Sequence, residues 1–344
     1  MKIFVTGGAG YIGTTLVPYL LNEGHQVTVM DRFFFGKKFL ESNLPKDEKA
    51  KNLQLIIDDT RYFDGKLLQG FDAVVDMAAL SNDPAGELDP WKTFEINFLG
   101  RSRVARLARE AKVKRYLLLS SCSIYGFQDG IITEESKINP LTTYARANQL
   151  AESDNLPLGS SEFTSTAIRF ATIYGLSGRM RFDLAINGMT LGAFRNGKIP
   201  IMRDGTQWRP FLHVKDASRA VLMILEADPA KVNRQLFNIG SDSQNIQIKD
   251  LAQVVADSMT TKKPTIEWYG DPDKRSYRVS FEKARRVLGY ETKYTPADAV
   301  REIESALSNG KLSDTIETRT VEWYKRLLTN EQASKEVALR GIVL

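Results

Sequence analysis

Gly7, Gly10 and Gly13 recur every third position in the run Thr6-Gly7-Gly8-Ala9-Gly10-Tyr11-Ile12-Gly13, directly after the strand-like apolar segment Ile3 to Thr6. Glycines at this spacing let a chain turn tightly out of a strand into a helix and bring backbone N–H groups close to an anion. The helix N-terminus adds the positive end of its dipole. The chemistry is the cradling of a pyrophosphate, with Gly7, Gly10, Tyr11, Ile12 and Gly13 as its expected contacts. The helix that follows carries Ile12, Leu16 and Leu20 on one face, as a helix packed on a sheet does. A second apolar run, Val27 to Met30, ends at Asp31. A carboxylate there accepts hydrogen bonds from the hydroxyls of an adenosine ribose and repels a 2′-phosphate. Loop and acid together imply a dinucleotide site that favours NAD, while the adjacent cation Arg32 keeps the phosphorylated form open.

A second constellation is Tyr144-Ala145-Arg146-Ala147-Asn148. Positions four apart share a helix face, so the phenol and the amide lie side by side. A free tyrosine with a pKa of about 10 is only about 0.1% ionised at neutral pH, and each pH unit of missing shift costs about 1.4 kcal/mol. Asn148 can donate a hydrogen bond but carries no charge, and Arg146, two positions along, faces elsewhere. A tyrosine base here needs its cation from another group.

The elements that must position these residues alternate. Strand-like runs at Ile3 to Thr6, Val27 to Met30, Leu53 to Ile57, Ala73 to Met77 and Tyr116 to Leu119 are separated by helical patterns, with further strands at Thr166 to Phe170 and Gln235 to Ile239. Such alternation predicts an α/β fold with a doubly wound parallel sheet. The NAD-binding domain is expected over 1–175 and about 212–240, and a smaller, discontinuous C-terminal substrate domain over about 176–211 and 241–344. With 344 residues, 42% apolar, there is ample core. No apolar run approaches the roughly 18 residues of a membrane span, and the chain starts straight into the glycine motif, so a cytoplasmic protein is expected. The single Cys122 excludes an internal disulfide, and with only His25 and His213 no metal site is expected. The net charge of +5 is spread among nearly as many acids, which argues against nucleic acid and suits an anionic, diphosphate-bearing substrate.

These features, taken with Ser120-Ser121-Cys122-Ser123-Ile124-Tyr125-Gly126 and Tyr144, resemble the extended short-chain dehydrogenase/reductase family of NAD-dependent nucleotide-sugar epimerases and dehydratases, from Met1 to about Tyr290. The resemblance implies a Rossmann fold in which Tyr144 is the acid/base and Ser121 its relay to the reacting sugar hydroxyl. Asn148 stands where the family keeps the lysine that holds the nicotinamide ribose and favours the phenolate. Asp59 and Thr60 would flank the adenine, Ala78 and Ala79 would lie beside the cofactor, and Asn97 would brace the central sheet. Cys122 and Ser123 occupy the place of the Asp-Glu pair of 4,6-dehydratases, which disfavours that reaction. Ser123 fills the position of a cysteine acid/base found in some epimerases, so it is both a catalytic and a substrate-binding candidate, while Cys122 reads as a packed thiol.

On the substrate side the resemblance implies Thr172 beside the sugar and Arg209, in Trp208-Arg209-Pro210-Phe211-Leu212-His213, on the diphosphate. Arg179 and Asn187 would lie near the pocket mouth, and Arg275 and Tyr277 in a closing loop. His213 reads as a packed residue rather than a base. The segments Trp91 to Ala111 and Thr142 to Leu156 correspond to helices through which relatives form homodimers. The implied function is modification, foremost epimerisation, of a nucleoside diphosphate sugar by transient hydride transfer. The competing reading, suggested by Asn148, is a redox-silent NAD-binding or sensor protein of the same fold. Ser121, Tyr144 and Arg209 together speak against it.

Overall fold

The computed structural model describes residues 1–271 and 276–344. Its centre is a seven-stranded parallel sheet: β1 (Lys2–Thr6), β2 (Gln26–Asp31), β3 (Leu53–Ile57), β4 (Ala73–Asp76), β5 (Arg115–Ser121), β6 (Thr164–Phe170) and β7 (Gln235–Ile239). Their order is β7-β6-β5-β4-β1-β2-β3. All seven strands read from the sequence are present. Val27, Val29, Val74, Val75 and the leucines of β5 are buried, as expected of a sheet covered by helices on both faces.

The order has a functional consequence. The chain runs outward from β1 to β3, then returns to lay β4 on the other side of β1. The connections at the carboxyl ends of β1 and β4 therefore part company and leave a crevice. Register puts the chemistry-bearing residues along that edge. Thr6 pairs with Asp76, Asp31 with Ile57, and Ser121 with Phe170.

Helix α1 (Gly13–Asn22) follows the glycine loop. A continuous helical stretch starts at Pro90–Phe94, widens into a π-helical turn over Glu95–Gly100, and proceeds as α2 (Arg101–Glu110). Helix α3 (Thr143–Asn155) carries Tyr144. It is tied to the sheet by a buried pair in which Arg169 of β6 donates from Nη2 to Glu152 Oε2 at 2.6 Å. Asn97 staples the π-helical turn to the chain beyond β4: its Oδ1 accepts from Leu80 N at 2.8 Å and its Nδ2 donates to Leu80 O at 3.0 Å.

The remaining pieces, separated in sequence, assemble beside this edge. Helices α4 (Ala185–Asn196), α6 (Ile248–Ser258) and α7 (Pro296–Ser308) are accompanied by short strands, while α5 (Val214–Glu226) packs beside α1 in the core of the large sheet. Trp208–His213 pairs with Thr172–Tyr174 and with Asn245–Gln247, and Lys198–Met202 pairs with Thr265–Tyr269. The tail, opaque in sequence, forms α8 (Thr320–Thr329) and α9 (Glu331–Val337) and packs Tyr324 and Leu327 with Phe34, Phe35 and Leu80.

Asn97→Ala should cost about 2–3 kcal/mol, because it leaves a buried N–H and C=O of Leu80 without partners. Urea unfolding of parent and variant measures this; a loss below about 0.5 kcal/mol, the scale of an ordinary surface substitution, would show that the staple is dispensable.

Candidate active site

One cavity of about 460 Å³ runs along the carboxyl edge of the sheet, from Asp31 and Asp59 past Ala78 to Ser121, Tyr144 and Arg209. Its wall includes Gly7, Gly10, Tyr11, Ile12, Arg32, Thr60 and Ala79 toward one end, and Ser123, Thr172 and Tyr277 toward the other. Arg179 lines it as well. Three expected site residues are outside the wall. A Cβ on Gly13 would meet Gly8 O at 2.3 Å, so its role is close packing of the turn. Asn187 is fully buried, accepting from Gly175 N at 2.9 Å and donating to Tyr11 Oη at 3.0 Å and Arg181 O at 2.9 Å. Asn148 is fully buried behind Tyr144. Arg275 lies outside the described residues.

The dinucleotide end fits the cofactor that its residues imply. Gly7 has φ 72° and a Cβ there would sit 2.7 Å from Ala78 Cα, so only glycine brings the loop this close to the chain leaving β4. The N-terminus of α1 has no side-chain cap, which leaves its dipole to an anion. The Asp31 carboxylate accepts from Ala9 N at 2.9 Å and Phe33 N at 2.6 Å. Burial pushes its pKa up while these bonds pull it back, and a carboxylate retains further lone pairs for ribose hydroxyls.

Arg32, the residue that kept NADP open, is otherwise engaged. Its Nη1 bonds Asp59 Oδ2 at 2.7 Å, and its Nη2 donates to the tail carbonyls of Val337, Ile342 and Val343 at 3.0, 2.7 and 3.1 Å. Burial alone would raise Asp59, but hydrogen bonds from Arg61 and Arg32 outweigh it and bring its pKa down to about 2. Nearby, the Arg179 guanidinium lies 3.6 Å over the Phe35 ring and donates to Thr320 Oγ1 at 3.0 Å. Burial, then the neighbouring Arg181, lowers its pKa to about 9. Its Nε is buried without a partner among the described residues. Arg181 pairs with Asp183 at 2.7 Å, so two guanidiniums share one carboxylate in this wall, an excess suited to a phosphate. Arg179 also donates its backbone N–H to Thr14 Oγ1 of α1 at 3.0 Å, which puts it on the glycine-loop side of the cavity.

At the other end, the Thr142 side chain caps α3 by accepting from Ala145 N at 3.1 Å, and donates to Asp83 Oδ1 at 2.7 Å. The turn at Gly86 packs so closely that a Cβ there would be 3.0 Å from Tyr144 Cβ. Tyr144 is thus held from both sides of its backbone. Ser121 ends β5 with its Oγ accepting from Ser123 N at 3.1 Å, and Ser123 Oγ is buried without a partner among the described residues. Burial pushes the Tyr144 phenol above its ordinary pKa; the Arg101 guanidinium pulls it down, Asp83 adds to the rise, and hydrogen bonding with Asn148 and Ser121 opposes it. Arg146 is exposed. Cys122 is buried, its thiol raised by burial and donating to Arg169 O at 3.4 Å, an environment for packing rather than proton transfer. His213 is fully buried, stacked on Tyr294 with ring centroids 4.7 Å apart. Arg209 lies 5.4 Å from the Tyr277 ring centroid and donates to Trp208 O at 2.9 Å.

Arg181 is the second of the two loop cations that the sequence places, with Arg179, near the pocket mouth, and it lines the wall, whereas Arg101 and Tyr324 escaped the sequence reading. Arg101 had no signal in α-helical spacing, because the π-helical turn Glu95–Gly100 intervenes and resets its face. Tyr324 had none, because only tertiary folding brings the tail to the cavity.

The sequence model described as the NAD dependent epimerase/dehydratase family matches residues 3–240. The UDP-glucose 4-epimerase of Lactobacillus helveticus is 30% identical over 322 residues, covering 87% of this chain and 94% of that protein. The UDP-glucuronate 4-epimerase of Thermodesulfobacterium geofontis (strain OPF15) is 27% identical over 299 residues, 83% of this chain and 90% of that protein. Among solved structures, MoeE5 in complex with UDP-glucuronic acid and NAD superposes with a TM-score of 0.77 at 26% identity, covering 90% of this chain and all of that one.

Calorimetric titration should show NAD bound more tightly than NADP by the parent, and Arg32→Ala should not reverse that order, because Arg32 is bound to Asp59 and the tail. Equal or tighter NADP binding by the parent would contradict the assignment of Asp31.

Proposed function

The chain belongs to the NAD dependent epimerase/dehydratase family, and on that footing we propose that it epimerises a nucleoside diphosphate sugar through transient oxidation of a ring carbon. The observation that carries the reading is the single cavity that joins the glycine loop and Asp31 to Ser121 and Tyr144, with Arg209 and Tyr277 beyond them. The 4-epimerase relatives, by name, act on UDP sugars at carbon 4, which supports a uridine diphosphate sugar and that carbon.

Bound NAD supplies the acceptor and later donor of a hydride. The glycine loop and α1 hold its pyrophosphate, with Arg179 alongside; Asp31 holds the adenosine ribose, and Asp59 and Thr60 the adenine side. Tyr144 takes the proton of the sugar hydroxyl and later returns one, with Ser121 relaying through its Oγ. Ser123 offers to the sugar a hydroxyl that has no partner among the described residues, and Thr172 faces it from the wall. Arg209 pairs with the diphosphate in bidentate fashion, over Tyr277. Neither Cys122 nor Ser123 is a carboxylate, which supports epimerisation over 4,6-dehydration.

The same reading divides the molecule into a cofactor part, 1–175 and about 212–240, and a substrate part, about 176–211 and 241–344. It also extends to a cytoplasmic homodimer. No helix among the described residues is long and apolar enough to cross a membrane. Trp91 and Leu99, 68% and 52% exposed, form with Phe94, Phe98 and Leu150 an apolar groove across the helical stretch before α2 and the flank of α3. A second copy of this surface would cover it.

Proton NMR of NAD-loaded protein mixed with a panel of nucleoside diphosphate sugars should show one sugar converted to its epimer, and Tyr144→Phe should slow this by about 100-fold or more. A redox-silent binder would bind the sugar and convert none of the panel. Arg209→Ala should weaken nucleotide-sugar binding by about 1.5–3 kcal/mol, the scale of a hydrogen bond to a charged group, without affecting NAD. Unchanged sugar affinity would remove Arg209 from the site.

A further inference from the structure

We propose that Arg101, tethered by Asn148, supplies the positive charge that lets Tyr144 act as a base, in place of a cation on the tyrosine's own helix. This rests on the reading of Tyr144 as the acid/base and explains how that reading survives an uncharged residue four positions along α3. Arg101 is 2% exposed and enters from α2. Its Nη1 donates to Asn148 Oδ1 at 2.8 Å and its Nε to Ala78 O at 3.1 Å. The other end of the Asn148 amide donates to the Tyr144 carbonyl at 3.0 Å. The amide therefore bridges the guanidinium to the turn of helix that carries the phenol. Asn148 is a positioning residue: it offers an acceptor where a lysine would bring a second cation against Arg101 in a buried space.

The approach of Arg101 depends on the segment before it. The π-helical turn Glu95–Gly100 changes the angular position of every residue that follows, and Asn97 fixes that turn to Leu80. Gly100 lets it lie close, since a Cβ there would be 2.8 Å from Thr60 Oγ1. Arg101 thus reaches both the chain leaving β4 and the back of α3.

The charges facing this pair come from several elements. Asp76 of β4 interacts electrostatically with Arg101 and is held by Thr6 Oγ1 and Tyr116 Oη, each at 2.7 Å. Tyr116 Oη also lies 3.4 Å from Arg101 O. Asp83, in the short turn Asp83–Gly86 beyond β4, acts on the phenol in the opposite sense to Arg101. Among the charged groups acting on Tyr144, Arg101 has the largest effect, and it opposes burial. The sign follows: removing Arg101 disfavours the phenolate and moves its titration to higher pH.

The test reads the phenol itself. Difluorotyrosine placed at position 144 of the full-length protein lowers the intrinsic titration into a range that the fold tolerates, and fluorine NMR follows it with pH. Arg101→Gln should move that titration up by about one to two pH units, and Arg101→Lys should leave it near the parent. Adding Asn148→Lys to Arg101→Gln should bring it back down. Asn148→Ala, which keeps Arg101 but removes its tether, should move it up by less, and this variant decides the matter should Arg101→Gln fail to fold. A titration unmoved by Arg101→Gln or, in that event, by Asn148→Ala overturns the proposal. So does Asn148→Lys alone giving faster turnover than the parent at every pH, since the charge would then have been missing. Turnover that survives Tyr144→Phe would instead refute the acid/base reading, and the fluorine titration does not depend on that result.

Discussion

Everything functional in this chain depends on the point where the sheet reverses its direction of growth. With β4 laid beside β1 rather than beyond β3, the chain segments leaving their carboxyl ends diverge, and no side chain of the sheet itself can fill the gap. Gly7 presses the first turn against Ala78 on one side of this opening, and strand register delivers Asp31 and Ser121 to its rim, with Asp59 just beyond β3 and Thr172 in a short strand paired with Phe211. Helices then supply what strands cannot. The N-terminus of α1 contributes an uncapped dipole, and the first turn of α3 contributes a phenol anchored through Thr142 and Gly86.

Burying ionisable groups around such a cavity is costly unless each finds a partner, and the pattern of pairing separates scaffold from site. Glu152 and Arg169 pair with each other, with Ser120 and Tyr125 taking up their remaining groups, and lock α3 to β6. Arg32 is held by Asp59 and by three tail carbonyls, so that the tail closes the Asp31 end of the cavity. Arg179 and Arg181 face one carboxylate, Asp183, which pairs with Arg181, and among the described residues this leaves an excess of positive charge beside the glycine loop. Arg101 is a third case: its side-chain hydrogen bonds go to the neutral acceptors of Asn148 and Ala78, while the Asp76 carboxylate acts on it electrostatically. A carboxylate at position 148 would have satisfied the arginine and silenced it.

The large sheet was legible because buried parallel strands such as Val27 to Met30 and Ala73 to Met77 read as nearly continuous apolar runs, interrupted only by Thr28 and Asp76. The glycine loop and Asp31 carry their chemistry in local spacing, so they too could be read directly. Asn148 was recognisable as the position that lacks a charge, and the cation had to come from outside α3. That it comes from Arg101 depends on a π-helical turn, whose extra residue shifts the face by an amount that no simple periodicity predicts. Asn187 and Gly13 have the right residue types and the right neighbourhood, yet both serve packing, a distinction set by contacts many residues away. The tail was unreadable because its hydrophobic residues match Phe34, Phe35 and Leu80, far from it in the chain.

Single-turnover absorbance of the nicotinamide, after rapid mixing of NAD-loaded protein with the sugar it binds, tests the redox role of this cavity most directly. A reduced-nicotinamide signal that rises and decays in step with the appearance of the epimer is the expected result. Saturating binding of the sugar with no reduction at any time, while epimer still forms, would show that the joined cavity works by another chemistry.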